Sequence, residues 1–140
     1  MDQGEEERAK GKTVEVGKAH FETKTKRFTI IDAPGHKNYV PNMIAGTSQA
    51  DVGALVISAK MGEFESGFEK GGQTREHALL AKSIGIRHLI VLINKMDDIQ
   101  WDRERYLNII STLKSFLLEV GYDVERHVSW VPIAGIYHLL

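Results

Sequence analysis

Apolar residues fall into short blocks along this chain, and the spacing inside each block points to its element. Val14, Val16 and Phe21 suggest an extended stretch, and FTII at 28–31 follows a polar Thr25-Lys26 turn; together they predict a hairpin. DAPGH at 32–36 then breaks the second strand. A short helical region is expected over 42–49, with Pro41 near its start, where a missing amide hydrogen does little harm. VGALVISA (52–59) and HLIVLIN (88–94) are apolar runs of strand length, as in strands buried on both faces, and VSWVPI (128–133) reads as a last strand. Two helical patterns lie between them. TREHALLAKSIG (74–85) has Ala78, Leu79, Leu80 and Ala81 at helical spacing, Thr74 as a cap and Gly85 at the end. Over 103–120, Leu107, Ile110, Leu113, Leu117 and Val120 form one stripe.

Strands alternating with helices predict an α/β doubly wound domain, a mainly parallel sheet flanked by helices. Ligands of such sheets bind at the carboxyl ends of the strands. Each unusual polar cluster of this chain falls just after a strand, at that edge. Residues 1–12 are charged, lack periodicity and read as a mobile segment.

Composition narrows the function. With 140 residues the chain is the size of one domain. Eighteen basic residues against 19 acidic give a net charge of −1, and no electrostatic reason to expect direct sequence-specific nucleic-acid binding. The absence of cysteine excludes disulfides and thiolate metal sites. The longest apolar runs are far shorter than a membrane span, so no membrane association is expected. The acidic N-terminus has no apolar leader, so the expected location is cytoplasmic.

Gly11-Lys12-Thr13 ends like a phosphate-binding loop, G-x-x-x-x-G-K-[S/T]. Counting back five residues from Gly11 gives Glu6 instead of glycine, EEERAK precedes it in place of a buried strand, and VEVG follows as a strand instead of a helix. GKT is therefore not such a loop, and the pattern occurs nowhere else in these residues.

Two clusters carry chemistry. In Asp32-Ala-Pro-Gly-His36, a carboxylate at a strand end can hold Mg²⁺, commonly through water. Gly35 lets a backbone amide approach a phosphate, and His36 can orient or polarise a water. In Asn94-Lys95-Met96-Asp97, the Asn amide can bond the N7 and O6 edge of a purine. The Asp97 carboxylate can accept two parallel N–H bonds from guanine that adenine cannot offer, and the wrong base would leave it unpaired. The aliphatic stem of Lys95 can wall the ring.

D-A-P-G-H and N-K-M-D, in this order, resemble the third and fourth guanine-nucleotide motifs of translational GTPases. GEFESGFEKGGQTREHALLAK (62–82) is similar to the elongation factor one alpha branch. GKTVEVG and FEKGGQTREH most resemble the peptide-chain release-factor GTP-binding subunits of that branch, and its ribosome-rescue relatives share FE-x-GGQTREH. The resemblance covers residues 5–133 and implies a P-loop GTPase (G domain) fold, of which the whole chain would be a partial translational-type GTP-binding domain. It implies GTP, GDP and Mg²⁺ as ligands. Thr13 would be the switch-one threonine at the metal and γ-phosphate, Asp32 the magnesium-side aspartate and Gly35 the γ-phosphate-sensing amide. His36 would position the attacking water. Asn94, Lys95 and Asp97 would read guanine, and Ala134 and Gly135 stand at the fifth motif, where the family has Ser in place of Ala134. The implied partners are the ribosome and a partner peptide-chain release factor, the latter bound through domains not in this sequence.

Gly71-Gly72-Gln73 spells the tripeptide of the stop-codon-reading release factors, but before Thr74-Arg75-Glu76-His77 it reads as a flexible loop leading into a helix. Because the phosphate loop lies upstream in the family, these 140 residues alone are expected to bind GTP weakly or be inactive. The alternatives are a rescue or elongation GTPase of the same branch, or a non-catalytic interaction module.

Overall fold

The computed structural model describes residues 17–32 and 50–136, which fall in two compact units divided after Gln49. The expected mobile segment at 1–12, the helical region over 42–49, Thr13, Gly35 and His36 lie outside the described residues.

In the first unit, β1 (Gly17–Glu22) and β2 (Arg27–Asp32) form the expected antiparallel hairpin, with Gly17 opposite Asp32 and Glu22 opposite Arg27. Thr23 closes the turn. Its amide donates to the Lys26 carbonyl at 2.8 Å, and its Oγ1 accepts from the Lys26 amide at 3.1 Å. Cross-strand pairs hold the ribbon: the facing rings of Phe21 and Phe28 stack at 4.7 Å, and Arg27 meets Glu22 at 2.6 Å.

In the second unit, β3 (Val52–Ser58), β4 (His88–Asn94) and β5 (Val128–Pro132) form a parallel sheet in that order. The connections carry α1 (Glu63–Phe68), α2 (Gln73–Ser83), α3 (Arg103–Val120) and α4 (Val124–His127). Leu55 and Ile57, Leu89, Val91 and Ile93, and Val128 alternate onto one face and are buried with Ala78, Ile109, Leu113, Phe116 and Leu117 from the helices. The expectation of strands buried on both faces is corrected here. Among the described residues Val52, Val56, Ile90 and Val131 are exposed, Val56 to 59%, because the helical residues of the core join the other face.

Three local expectations also change. The stripe predicted along α3 is rotated. Tyr106, Ile109, Leu113, Phe116, Leu117 and Val120 face the core, whereas Leu107 is 49% exposed. The aromatic residues decide the arc, since the Phe116 ring meets Phe68 edge-on at 5.5 Å. Thr74 does not cap α2; the N-cap is Gly72 and Gln73 is already helical. A Cβ on Gly72 would lie 2.3 Å from the Gly67 carbonyl oxygen, so the chain can turn from α1 into α2 this tightly only at a glycine. The six-residue α1, too short to declare itself by periodicity, was not anticipated at all. Gly85, with φ of +88°, follows α2 as expected.

Candidate functional site

The sheet register brings the site together. Asn94 ends β4 beside Ser58, the last residue of β3, and Ile93 sits beside Pro132 at the end of β5. Beyond the strands the three chains stay stitched. The Ala59 amide donates to the Asn94 carbonyl at 2.8 Å, Ile133 to Ile93 at 2.8 Å, and Met96 to Ile133 at 3.1 Å.

The Asn94 side chain is the central fastener. Its Oδ1 accepts from its neighbour's amide, Lys95 N, at 2.8 Å and from Gly135 N at 2.9 Å, tying the loop after β4 to the loop after β5. A side-chain amide oxygen offers two lone pairs, so both are used. The Nδ2 group remains, with two donors and no partner among the described residues. A Cβ on Gly135 would stand 3.3 Å from Asn94 Oδ1, tighter than ordinary contact, which makes glycine the residue suited to this approach.

Lys95 takes a φ of +60°, a conformation costly to a side-chain-bearing residue. Met96 then turns into the core while Lys95 and Asp97 stay outside it. The Asp98 amide donates to the Lys95 carbonyl, Gln100 to Asp97 and Trp101 to Met96, closing a compact turn before α3. Together Asn94, Lys95, Asp97, Asp98, Gly135 and Ile136 line an open pocket of about 190 Å³. It combines amide donors, two carboxylates and an aliphatic wall.

A second layer comes from α1. Glu63 Oε2 accepts from Lys95 Nζ at 2.7 Å and from Ser58 Oγ at 2.6 Å. The hydrogen bond from Lys95, then that from Ser58, holds the Glu63 carboxyl below its ordinary range; in return Glu63 raises the Lys95 ammonium above its own. Glu65 Oε2 accepts from the Gly62 amide at 2.7 Å, while its Oε1 takes Arg105 Nη1 at 2.6 Å, and Arg105 Nε donates to the Ala59 carbonyl. The Arg105 hydrogen bond brings Glu65 down to about 2.

The sequence-predicted residues Asn94, Lys95, Asp97 and Gly135 thus share one pocket, which Ala134 flanks without lining. Asp32 ends β2 in the other unit. Ser58, Glu63, Asp98 and Ile136 were not singled out from sequence. Only the parallel register, which sets Ser58 beside Asn94, brings Glu63 within reach of Lys95. Among the described residues no helix is long and apolar enough to cross a membrane, and no group of three or more His, Cys, Asp or Glu could hold a metal ion.

Known proteins resemble this chain in sequence and in fold. The family described as Elongation factor Tu GTP binding domain matches residues 1–139. The eukaryotic peptide chain release factor GTP-binding subunit of Kluyveromyces lactis is 60% identical over 137 residues, covering 96% of this chain and 20% of that protein. Its counterpart in Schizosaccharomyces pombe is 58% identical over 138 residues, covering 96% and 21%. Among solved structures, sup35 complexed with GMPPNP superposes with a TM-score of 0.71 at 46% identity, covering 94% of this chain and 29% of that one. The bacterial selenocysteine-specific elongation factor EF-Sec gives 0.70 at 30% identity, covering 96% and 21%. The chain spans about a fifth of the length of the release-factor relatives.

Proposed function

The chain belongs to the elongation factor Tu GTP-binding domain family, and on that premise we propose that the pocket after β4 reads guanine for a GTP-hydrolysing factor of translation termination. The observation that carries this reading is the fixed amide of Asn94. With Oδ1 bonded to two backbone amides, only its Nδ2 donors are left to meet a ligand, and they suit the N7 and O6 acceptors of a purine. Asp97 accepts the paired N–H groups that distinguish guanine from adenine, and the Lys95 stem covers the ring. The Gly135 amide is bonded to Asn94, and the place of Ala134 in the fifth motif assigns its amide to the base oxygen.

The pocket's size limits its role. At about 190 Å³ it falls below the roughly 300–1,000 Å³ of sites that enclose a whole drug-sized ligand. It takes the base, and the phosphates extend beyond it. In this reading Thr13 and Asp32 would hold Mg²⁺, whose chemistry when bound is to neutralise phosphate charge. Gly35 contacts the γ-phosphate and His36 orients the attacking water. Hydrolysis to GDP and phosphate relaxes the segments around Thr13 and Gly35, the signal passed to the ribosome and the partner release factor. The 60% identity to release-factor subunits, against 30% to the elongation factor, favours termination.

The test is titration of a fluorescent GDP into the 140-residue chain and into a version extended upstream through a strand and phosphate-binding loop. The expected result is micromolar binding with preference over ADP in the extended version and weaker binding in the short one. If neither binds, the GTPase reading fails. Capture of a termination release factor in preference to its ribosome-rescue counterpart, by the full-length protein, tests the assignment to termination.

A further inference from the structure

We propose that Glu63 is a positioning residue for nucleotide binding: it fixes the Lys95 side chain as the wall of the base pocket. The inference rests on the guanine-site reading above and adds to it a residue outside the motif. Lys95 is an unusual wall. Its backbone has φ +60° with its amide donating to Asn94 Oδ1, but its side chain is 44% exposed and the pocket itself offers the four-carbon stem no partner among the described residues. A free lysine of this kind loses considerable rotamer entropy on lying against a ligand. Glu63 removes much of that freedom beforehand by holding Nζ at 2.7 Å.

Glu63 is itself held. Ser58 Oγ donates to the same Oε2 at 2.6 Å, and Ser58 is the register partner of Asn94. Glu65, two residues further on, accepts from the Gly62 amide and is clamped by Arg105, which also bonds the Ala59 and Lys60 carbonyls. The start of α1 is therefore fixed to both β3 and α3, and Glu63 reaches from this fixed base to the tip of Lys95. Glu63 does not line the pocket, so it holds the ammonium from outside it and leaves the methylene stem of Lys95 to cover a bound ring.

The effect expected from this arrangement has a sign that plain charge cannot produce. Glu63 is an anion near a site for an anionic nucleotide, so removing its charge should tighten GDP and leave neutral guanosine unaffected. If Glu63 instead acts by ordering Lys95, Glu63→Gln weakens both ligands, by about threefold to fivefold for an exposed pair. The experiment uses the 140-residue chain labelled with ¹⁵N, following the Lys95 and Gly135 amides during titration with GDP and with guanosine, a method that reads millimolar binding. The Lys95 ammonium signal is followed against pH in parallel, and its pKa should fall in Glu63→Gln.

A double-mutant cycle separates positioning from a general structural role. In a Lys95→Met background, which keeps the stem and removes the ammonium, Glu63→Gln should no longer weaken guanosine binding. Ser58→Ala, which frees one side of Glu63, should weaken binding in the same direction by less. Tighter GDP binding in Glu63→Gln, unchanged affinity for guanosine, or an equal loss in the Lys95→Met background overturns the inference while leaving the base site standing. If neither the unsubstituted chain nor its upstream-extended version shows a shift of either amide with GDP, the guanine-site reading fails and this inference with it.

Discussion

Replacing Asn94 by Asp and by Ala separates two functions of one side chain. Oδ1 accepts from the Lys95 and Gly135 amides, at 2.8 and 2.9 Å, and Nδ2 is left for a ligand. Asn94→Ala removes both acceptor contacts at a half-buried position, and at about 1 kcal/mol for each hydrogen bond the loop pair loses roughly 2 kcal/mol of local stability. That corresponds to about a thirtyfold faster opening of the Gly135 amide, since about 1.4 kcal/mol is a factor of ten. Asn94→Asp keeps two oxygens of similar placement, so both amides remain bonded and protected, but it carries no donors for a purine. Amide hydrogen exchange at Lys95 and Gly135 measures the first function, and guanosine titration measures the second. Asn94→Ala should lose both protection and binding, and Asn94→Asp binding alone. Full guanosine affinity in Asn94→Asp would refute the assignment of Nδ2 to the base. Undiminished Gly135 protection in Asn94→Ala would refute the fastening role.

Other expectations follow from the same geometry. In the full-length protein, Asp97→Asn should shift preference from guanine towards xanthine nucleotides; competition between GDP and XDP checks this, and unchanged selectivity removes Asp97 from the site. His36→Ala should slow hydrolysis in single-turnover assays while leaving GDP affinity nearly intact. Arg105 holds the folded-state carboxyl of Glu65 near 2 against an ordinary 4.5, so its contribution is complete above pH 4.5 and lost as pH falls towards 2. Because Glu65 is 45% exposed, screening limits that contribution to below about 1 kcal/mol, and Arg105→Met should flatten this part of the urea-midpoint profile against pH. Gly72→Ala drives a Cβ into the Gly67 carbonyl and should lower stability by about 1–3 kcal/mol, read by thermal denaturation; an unchanged midpoint would mean the α1–α2 connection relaxes freely.

Much of this arrangement was legible because strands and long helices advertise themselves. The runs at 88–94 and 103–120 coincide with β4 and α3, since an unbroken apolar run and a long helical stripe each point to one element. The N-K-M-D cluster was legible because chemistry and position agree: four residues at the end of one strand need no long-range contact to be recognised. The rotation of α3 was not, because Leu107 and Ile110 satisfy helical spacing as well as Ile109 and Phe116 do, and only the meeting of Phe116 with Phe68 decides between arcs. Gly72 was overlooked as a cap because Thr74 has the better capping side chain; the tight passage against Gly67 is a tertiary fact. Glu63 was invisible for a related reason, being 32 residues from the lysine it holds.

Lys95, Gln100 and Trp101 all have positive φ, at 60°, 53° and 54°, and all lie in the one loop that follows β4. Each such residue holds strain of about 1–3 kcal/mol that glycine would largely relieve. Glycine at position 95 would also erase the stem and the ammonium that define the pocket wall. Directed evolution for heat resistance alone, carried out without any nucleotide, should therefore accumulate glycines in this loop and gradually unmake the site. The positions it selects first would map the residues that have been kept at odds with their own backbone.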